Sequence, residues 1–249
     1  MSNKRLGQNF LINRKIVADI IDAGELSKKD IVLEVGPGKG ILTEALAKKS
    51  KKVIAIEKDS ELVEYLKEKL KNQKNIEVVY GDILKISSPS PLAPRPHKLI
   101  ANIPYYITSR FLRIFLSQAK LRPKLMVLML QKEVAERIVT RDSKESLLSL
   151  SVKAYGNPKI IKIVRRGNFF PPPKVDSAII KISDISDKWF KKNKVNEERF
   201  FEFLRKAFQQ KRKMLRRSLG KNLPEQYSNR RPEELKLEDW VVIYLSLSQ

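Results

Sequence analysis

Apolar positions along the first two-thirds of the chain switch between a helical and an extended rhythm. Ile16, Val17, Ile20 and Ile21 recur at helical spacing after Asn13, whose side chain suits an N-cap. Ile31–Val35 is then a short apolar run that fits a buried strand and stops at Gly36. The alternation repeats, with strands predicted at Val53–Ile56, Ile76–Tyr80, Lys98–Ala101 and Leu125–Leu130. Helices are predicted on Ile41, Leu42, Ala45 and Leu46, then on Leu62, Val63, Leu66 and Leu70. Two more are predicted around Phe111, Leu112 and Phe115, and around Val134 and Ile138. Strands and helices alternating at this spacing imply parallel strands joined by right-handed crossovers. The predicted fold class is therefore α/β, a Rossmann-like, doubly wound, mostly parallel sheet.

Lys159–Val164 and Val175–Ile182 are expected to add an antiparallel pair at the sheet edge. The proline-rich stretch Ser87–Pro96 excludes a helix or a central strand and predicts a loop. Beyond about Ser183 the rhythm is helical only, at Glu197–Leu219 and Leu237–Leu247, with no strand candidate between them. Two domains are expected, a catalytic one over residues 1–183 and a small helical one over residues 184–249.

Charge changes the picture most. Lys and Arg number 51 against 28 Asp and Glu, a formal net charge of +23. Such an excess concentrates polyanions, and nucleic acid is the commonest of them in a cytoplasm. The chain has no cysteine, which excludes thiolate nucleophiles and thiolate-bound metals. Its one histidine, His97, adjoins the proline-rich stretch, so a histidine-built metal site is not expected. No stretch reaches the roughly 18 apolar residues of a membrane span, and Met1–Gln8 leads into no long apolar segment. The expectation is a soluble, cytoplasmic protein, and a monomer, since no conspicuous apolar surface segment argues for a dimer.

The candidate chemistry sits at the strand ends. Glu34-Val-Gly-Pro-Gly-Lys-Gly40 follows the first long strand, where Gly36 and Gly38 let backbone approach a ligand closely. Glu57 ends the next strand, where a carboxylate can accept both hydroxyls of a ribose. Asp82 ends the third and can accept from an adenine amino group. Asn102-Ile-Pro-Tyr105 ends the fourth. An exocyclic adenine amine is a poor nucleophile because its lone pair is conjugated into the ring. Two acceptors, the Asn102 side-chain oxygen and the Ile103 carbonyl, can hold its hydrogens and free the lone pair. Pro104 fixes the turn, and Tyr105 offers a face on which the base can stack. Phe169-Phe-Pro-Pro-Pro-Lys-Val-Asp-Ser177 is a stiff loop whose aromatic start suits a second wall for that base. Lys211, Arg212, Lys213, Arg216 and Arg217 form a basic cluster suited to phosphate contact.

Together with Gly7-Gln-Asn-Phe-Leu11, Leu130–Val134 and Ala207–Leu219, these segments resemble the small-subunit ribosomal RNA adenine N6,N6-dimethyltransferase family. The resemblance spans nearly the whole chain. It implies S-adenosylmethionine as methyl donor, held by Asn9, Leu11, Gly36, Glu57, Asp82 and Asn102, with Gly38, Lys58 and Ile83 completing the set. It implies Tyr105 and Phe169 on either side of the target base, and Asn102, Ile103, Pro104 and Tyr105 as the catalytic turn. The substrate it implies is small-subunit rRNA or a pre-ribosomal small subunit, dimethylated at two adjacent adenines in a hairpin near the 3′ end during ribosome assembly. Two rivals share the scaffold. The large-subunit rRNA adenine methyltransferases of macrolide resistance usually have Asn where Asp176 stands. Non-catalytic nucleic-acid-binding relatives can lose the donor and target-base residues that this chain keeps.

Overall fold

The computed structural model describes residues 9–85, 97–118, 122–140, 144–210, 212–220 and 222–247. Its elements in chain order begin with β1 (Phe10–Leu11), α1 (Arg14–Ala23), β2 (Ile31–Val35), α2 (Ile41–Lys49), β3 (Lys52–Glu57), α3 (Ser60–Leu70) and β4 (Ile76–Tyr80). Then follow β5 (Lys98–Asn102), α4 (Thr108–Ser117), β6 (Leu125–Gln131), α5 (Lys132–Val139), α6 (Leu147–Lys153), β7 (Asn157–Val164), β8 (Phe169–Phe170) and β9 (Ser177–Ser183). The helices α7 (Lys188–Lys192), α8 (Glu197–Phe208), α9 (Leu215–Ser218), α10 (Glu225–Ser228) and α11 (Leu237–Leu247) complete the chain.

The main sheet runs β4-β3-β2-β5-β6-β9-β7, with β2 to β6 parallel to one another and β9 antiparallel to β6. The chain leaves β2 outward through β3 and β4, then returns to place β5 on the other side of β2. The sheet order therefore reverses between β2 and β5, and ligands of such sheets sit beyond the strand ends at that reversal. β6 is buried from Leu125 to Leu130, because helices cover both faces of a parallel sheet and demand an unbroken apolar run. The expected edge pair is present as neighbouring β9 and β7. Its inner strand starts at Ser177 rather than Val175, where pairing with Gln131 begins. The Ser87–Pro96 loop lies outside the described residues, apart from which no described helix is long and apolar enough to cross a membrane.

The chain divides into two compact units, one within Met1–Ala135 and Lys159–Ile185, the other within Glu136–Pro158 and Ser186–Gln249. The single cut expected at 183/184 is thus replaced by two earlier crossings and one nearby. Tyr155 contributes to this, a buried residue whose ring lies 5.1 Å from that of Phe190 and 5.9 Å from that of Phe201, as does the 2.9 Å ion pair of Lys144 with Glu233. The Tyr155 hydroxyl also donates to Glu197. That aromatic core, which also buries Phe200 and Trp240, draws residues 136–158 into the helical unit. The single helix expected over Glu197–Leu219 is two, α8 and α9. Leu215 is fully buried and its amide donates to the Arg230 carbonyl at 2.9 Å, a bond that takes the place of a helical one.

Candidate active site

The turn after β2 bends through three glycines with φ of +67° at Gly36, +57° at Gly38 and +81° at Gly40, the left-handed region that side chains avoid. Space is as tight as the backbone. A Cβ on Gly38 would stand 2.9 Å from the Phe10 ring, so the turn closes against β1. The Gly38 amide donates to Glu57 Oε2 at 3.3 Å, and the amides of Lys58 and Asp59 donate to Glu57 Oε1 at 2.9 and 3.1 Å. Glu57 is only 5% exposed. Burial pushes its pKa up, and the three amides oppose that shift. The carboxylate is therefore held in one orientation at the end of β3.

Neighbouring strand ends supply the rest. Asp82 Oδ1 accepts from the Leu84 amide at 3.0 Å, which fixes the carboxylate just beyond β4. At the end of β5, Asn102 Nδ2 donates to the Asn9 carbonyl at 3.5 Å, which leaves Oδ1 without a partner among the described residues. The Ile103 side chain is buried and anchors the turn. Pro104 is extended at φ −58°, ψ 133°, and the chain then enters a 3-10 turn over Tyr105–Ile107. The Tyr105 hydroxyl lies 2.6 Å from Ser177 Oγ, and burial raises its pKa.

A cavity of about 790 Å³ opens where these ends converge. Asn9, Leu11, Gly36, Gly38, Glu57, Lys58, Asp82 and Ile83 line it, together with Asn102, Ile103, Pro104 and Tyr105. Every residue assigned to the donor or to the catalytic turn thus lines this one cavity. Phe169 does not. It pairs opposite Leu11, is 2% exposed and belongs to the hydrophobic core. Successive residues of a strand point to opposite sides, so Phe170, 66% exposed, takes the cavity wall instead. The β1–β8 pairing that decides this is too short to announce itself as a pattern. Sequence reasoning gave no individual role to Ile12, Tyr106 and Lys174, which line the cavity, or to Glu34, which is 1% exposed with Oε2 unpartnered among the described residues.

In the helical unit, Arg212, Lys213, Arg216 and Arg217 are all exposed around α9, and no side-chain hydrogen bond or ion pair engages them among the described residues. Lys211 lies outside the described residues. Among the described residues, no group of three or more His, Cys, Asp and Glu side chains is placed to hold a metal.

Comparison with known proteins places this geometry. A ribosomal RNA small subunit methyltransferase A of Dehalococcoides mccartyi is 43% identical over 96% of the chain and 86% of its own length. The solved dimethyladenosine transferase of Plasmodium falciparum superposes with a TM-score of 0.80 at 29% identity, covering 96% of this chain and 97% of its own. The 23S rRNA methyltransferase ErmE gives a TM-score of 0.79 at 28% identity, over 97% of this chain and all of its own. The profile of the ribosomal RNA adenine dimethylase family matches residues 1–241. The chain belongs to that family.

Proposed function

We propose that the chain transfers methyl groups from S-adenosylmethionine to N6 of two adjacent adenines in small-subunit ribosomal RNA, in a hairpin near the 3′ end and during ribosome assembly. The observation that carries this reading is the convergence of Glu57, Asp82 and Asn102 from three strand ends on one cavity. The donor supplies an electrophilic methyl group on a sulfonium. The glycine turn offers it close backbone, Glu57 the acceptor for its ribose hydroxyls, and Asp82 the acceptor for its adenine amino group.

Tyr105 holds the target ring by stacking. The unpartnered Asn102 Oδ1 and the Ile103 carbonyl accept from the target amine and turn its lone pair toward the methyl. Asn102 carries no charge and is no strong base, so the proton leaves after the nitrogen has become cationic and acidic. The chain has no thiol to form a covalent adduct, and the transfer is direct and in line.

The large-subunit reading is weaker, because ErmE shares the fold at 28% identity while relatives named for the small subunit reach 40–44%. The protein acts as a monomer in this reading. Purified protein with methyl-labelled donor, offered small-subunit and large-subunit rRNA side by side, tests it. Label in dimethyladenosine of the small-subunit RNA is expected, and label confined to large-subunit RNA overturns it.

A further inference from the structure

The 3-10 turn that carries Tyr105 inward turns its neighbour outward. Tyr106 is 71% exposed, yet it lines the same cavity. Single exposed apolar side chains are ordinary on a protein surface. This one is not single, because Phe170 at 66% and Ile12 at 56% exposure line that cavity too. Neither the Tyr106 nor the Phe170 ring packs on another aromatic ring among the described residues. The site therefore leaves flat apolar faces in water, and Lys39, Lys58 and Lys174 line the same cavity. Arg110 and Arg113, on the helix that follows Tyr106, are also exposed. Aromatic faces interleaved with cations are what an unpaired nucleic-acid strand requires, the rings taking bases and the cations the phosphates between them.

We propose that Tyr106 is a second base platform, which stacks the unpaired nucleobase next to the target along the RNA strand while the target itself occupies the Tyr105 pocket. The inference rests on the RNA-adenine reading and deepens it. Tyr105 and Tyr106 are consecutive in a 3-10 turn, so about 120° separates the directions of their side chains. Two consecutive nucleotides splayed from a hairpin loop match that divergence, and with two adjacent targets the waiting adenine would sit on Tyr106. A base there also orients the strand, so the platform acts on RNA binding more than on the chemical step. Donor binding should not sense it.

The experiment compares wild type with two variants on two RNAs. Wild type and Tyr106→Ala are assayed on a small-subunit rRNA hairpin, intact or carrying an abasic site at the nucleotide next to the target. On intact RNA, Tyr106→Ala should raise KM about tenfold with little change in kcat, the loss of one base–aromatic stack. Tyr106→Trp should keep the wild-type KM. On the abasic RNA, wild type should suffer the same rise and Tyr106→Ala little more, because the two changes remove one interaction. Donor affinity by calorimetry should match in all three proteins, which separates loss of the platform from loss of the fold. Equal penalties for Tyr106→Ala on both RNAs would overturn the platform alone. Failure of the wild type to methylate the intact hairpin would instead overturn the reading beneath it.

Discussion

The Tyr105 hydroxyl meets the Ser177 hydroxyl at 2.6 Å, tying the turn after β5 to the first residue of β9. In the proposed reading the bond orients a ring whose faces stack the target base, so the ring and the hydroxyl are separable. Tyr105→Phe should lower kcat by less than about tenfold, the net worth of one neutral hydrogen bond. Tyr105→Ala should cost about 10- to 100-fold by removing the stack. Ser177→Ala should resemble Tyr105→Phe, and the double change should be no worse than either alone. Single-turnover rates decide it, and a Phe variant as damaged as the Ala variant would mean the hydroxyl acts in the chemistry.

In the proposed reading, Asn102 is the position where the transition state is held more tightly than the ground state. Asn102→Ala should lower kcat about 100-fold or more, equal to roughly 2.7 kcal/mol. Hairpin RNA affinity should change little. A variant turning over at the wild-type rate would remove Asn102 from the mechanism.

Glu57 is fixed by three amides before any ligand arrives, so the acceptor it would offer the donor in the proposed reading is preorganised. Glu57→Ala should weaken donor binding by roughly 1.5–3 kcal/mol, the range for hydrogen bonds to a charged group. Because burial raises the Glu57 pKa, donor affinity should also begin to fall, as pH is lowered, at a higher pH than an exposed glutamate would set. Calorimetry of Glu57→Ala at neutral pH giving an unchanged dissociation constant would refute the assignment.

How far the sequence was legible follows from the range of the forces. β2, β3, β4, β5 and β6 were readable because a doubly covered sheet requires apolar runs, and those runs place Glu57, Asp82 and Asn102 at strand ends automatically. The glycine turn was readable for the same local reason. Phe169 and Phe170 were not distinguishable, since either ring fits the loop and only pairing with Phe10 and Leu11, some 160 residues away in the chain, sets which one is buried. The break between α8 and α9 depends on the Arg230 carbonyl reaching Leu215, which no helical periodicity encodes. Residues 136–158 read as a continuation of the α/β pattern, and long-range contacts assign them to the helical unit, among them the Tyr155 ring against Phe190 and the ion pair of Lys144 with Glu233.

The exposed cations around α9, unpaired among the described residues, predict a salt-dependent contribution to RNA affinity. Each phosphate contact adds about 0.7 to 0.9 to the slope of log K against log salt. Replacing Arg216 and Arg217 by Ala should therefore flatten the slope by about 1.4 to 1.8. Filter binding from low to moderate salt measures it, and an unaltered slope would make this cluster a solvated surface.

Glu34 makes the last prediction, and it concerns stability. The side chain is 1% exposed, and burial pushes its pKa up to about 8, with the Glu57 charge adding to the shift and the Thr43 hydroxyl beside it opposing. An unfolded chain would release that proton near the ordinary value of 4.5. Below 4.5 both states keep the proton and the full stability is present. Between 4.5 and about 8 the unfolded state ionises while the folded state does not, so stability falls as pH rises, by at most about 1.4 kcal/mol per unit. Above about 8 both states are ionised and the loss levels off. Glu34→Gln keeps the shape and the neutrality but has no proton to lose. It should match the wild type near pH 4.5 and become progressively more stable than it toward pH 8. Glu57 is present in both proteins, so its own upward shift cancels in the difference. Urea unfolding across that range reads the outcome, and two parallel stability curves would show that Glu34 is already ionised in the folded protein.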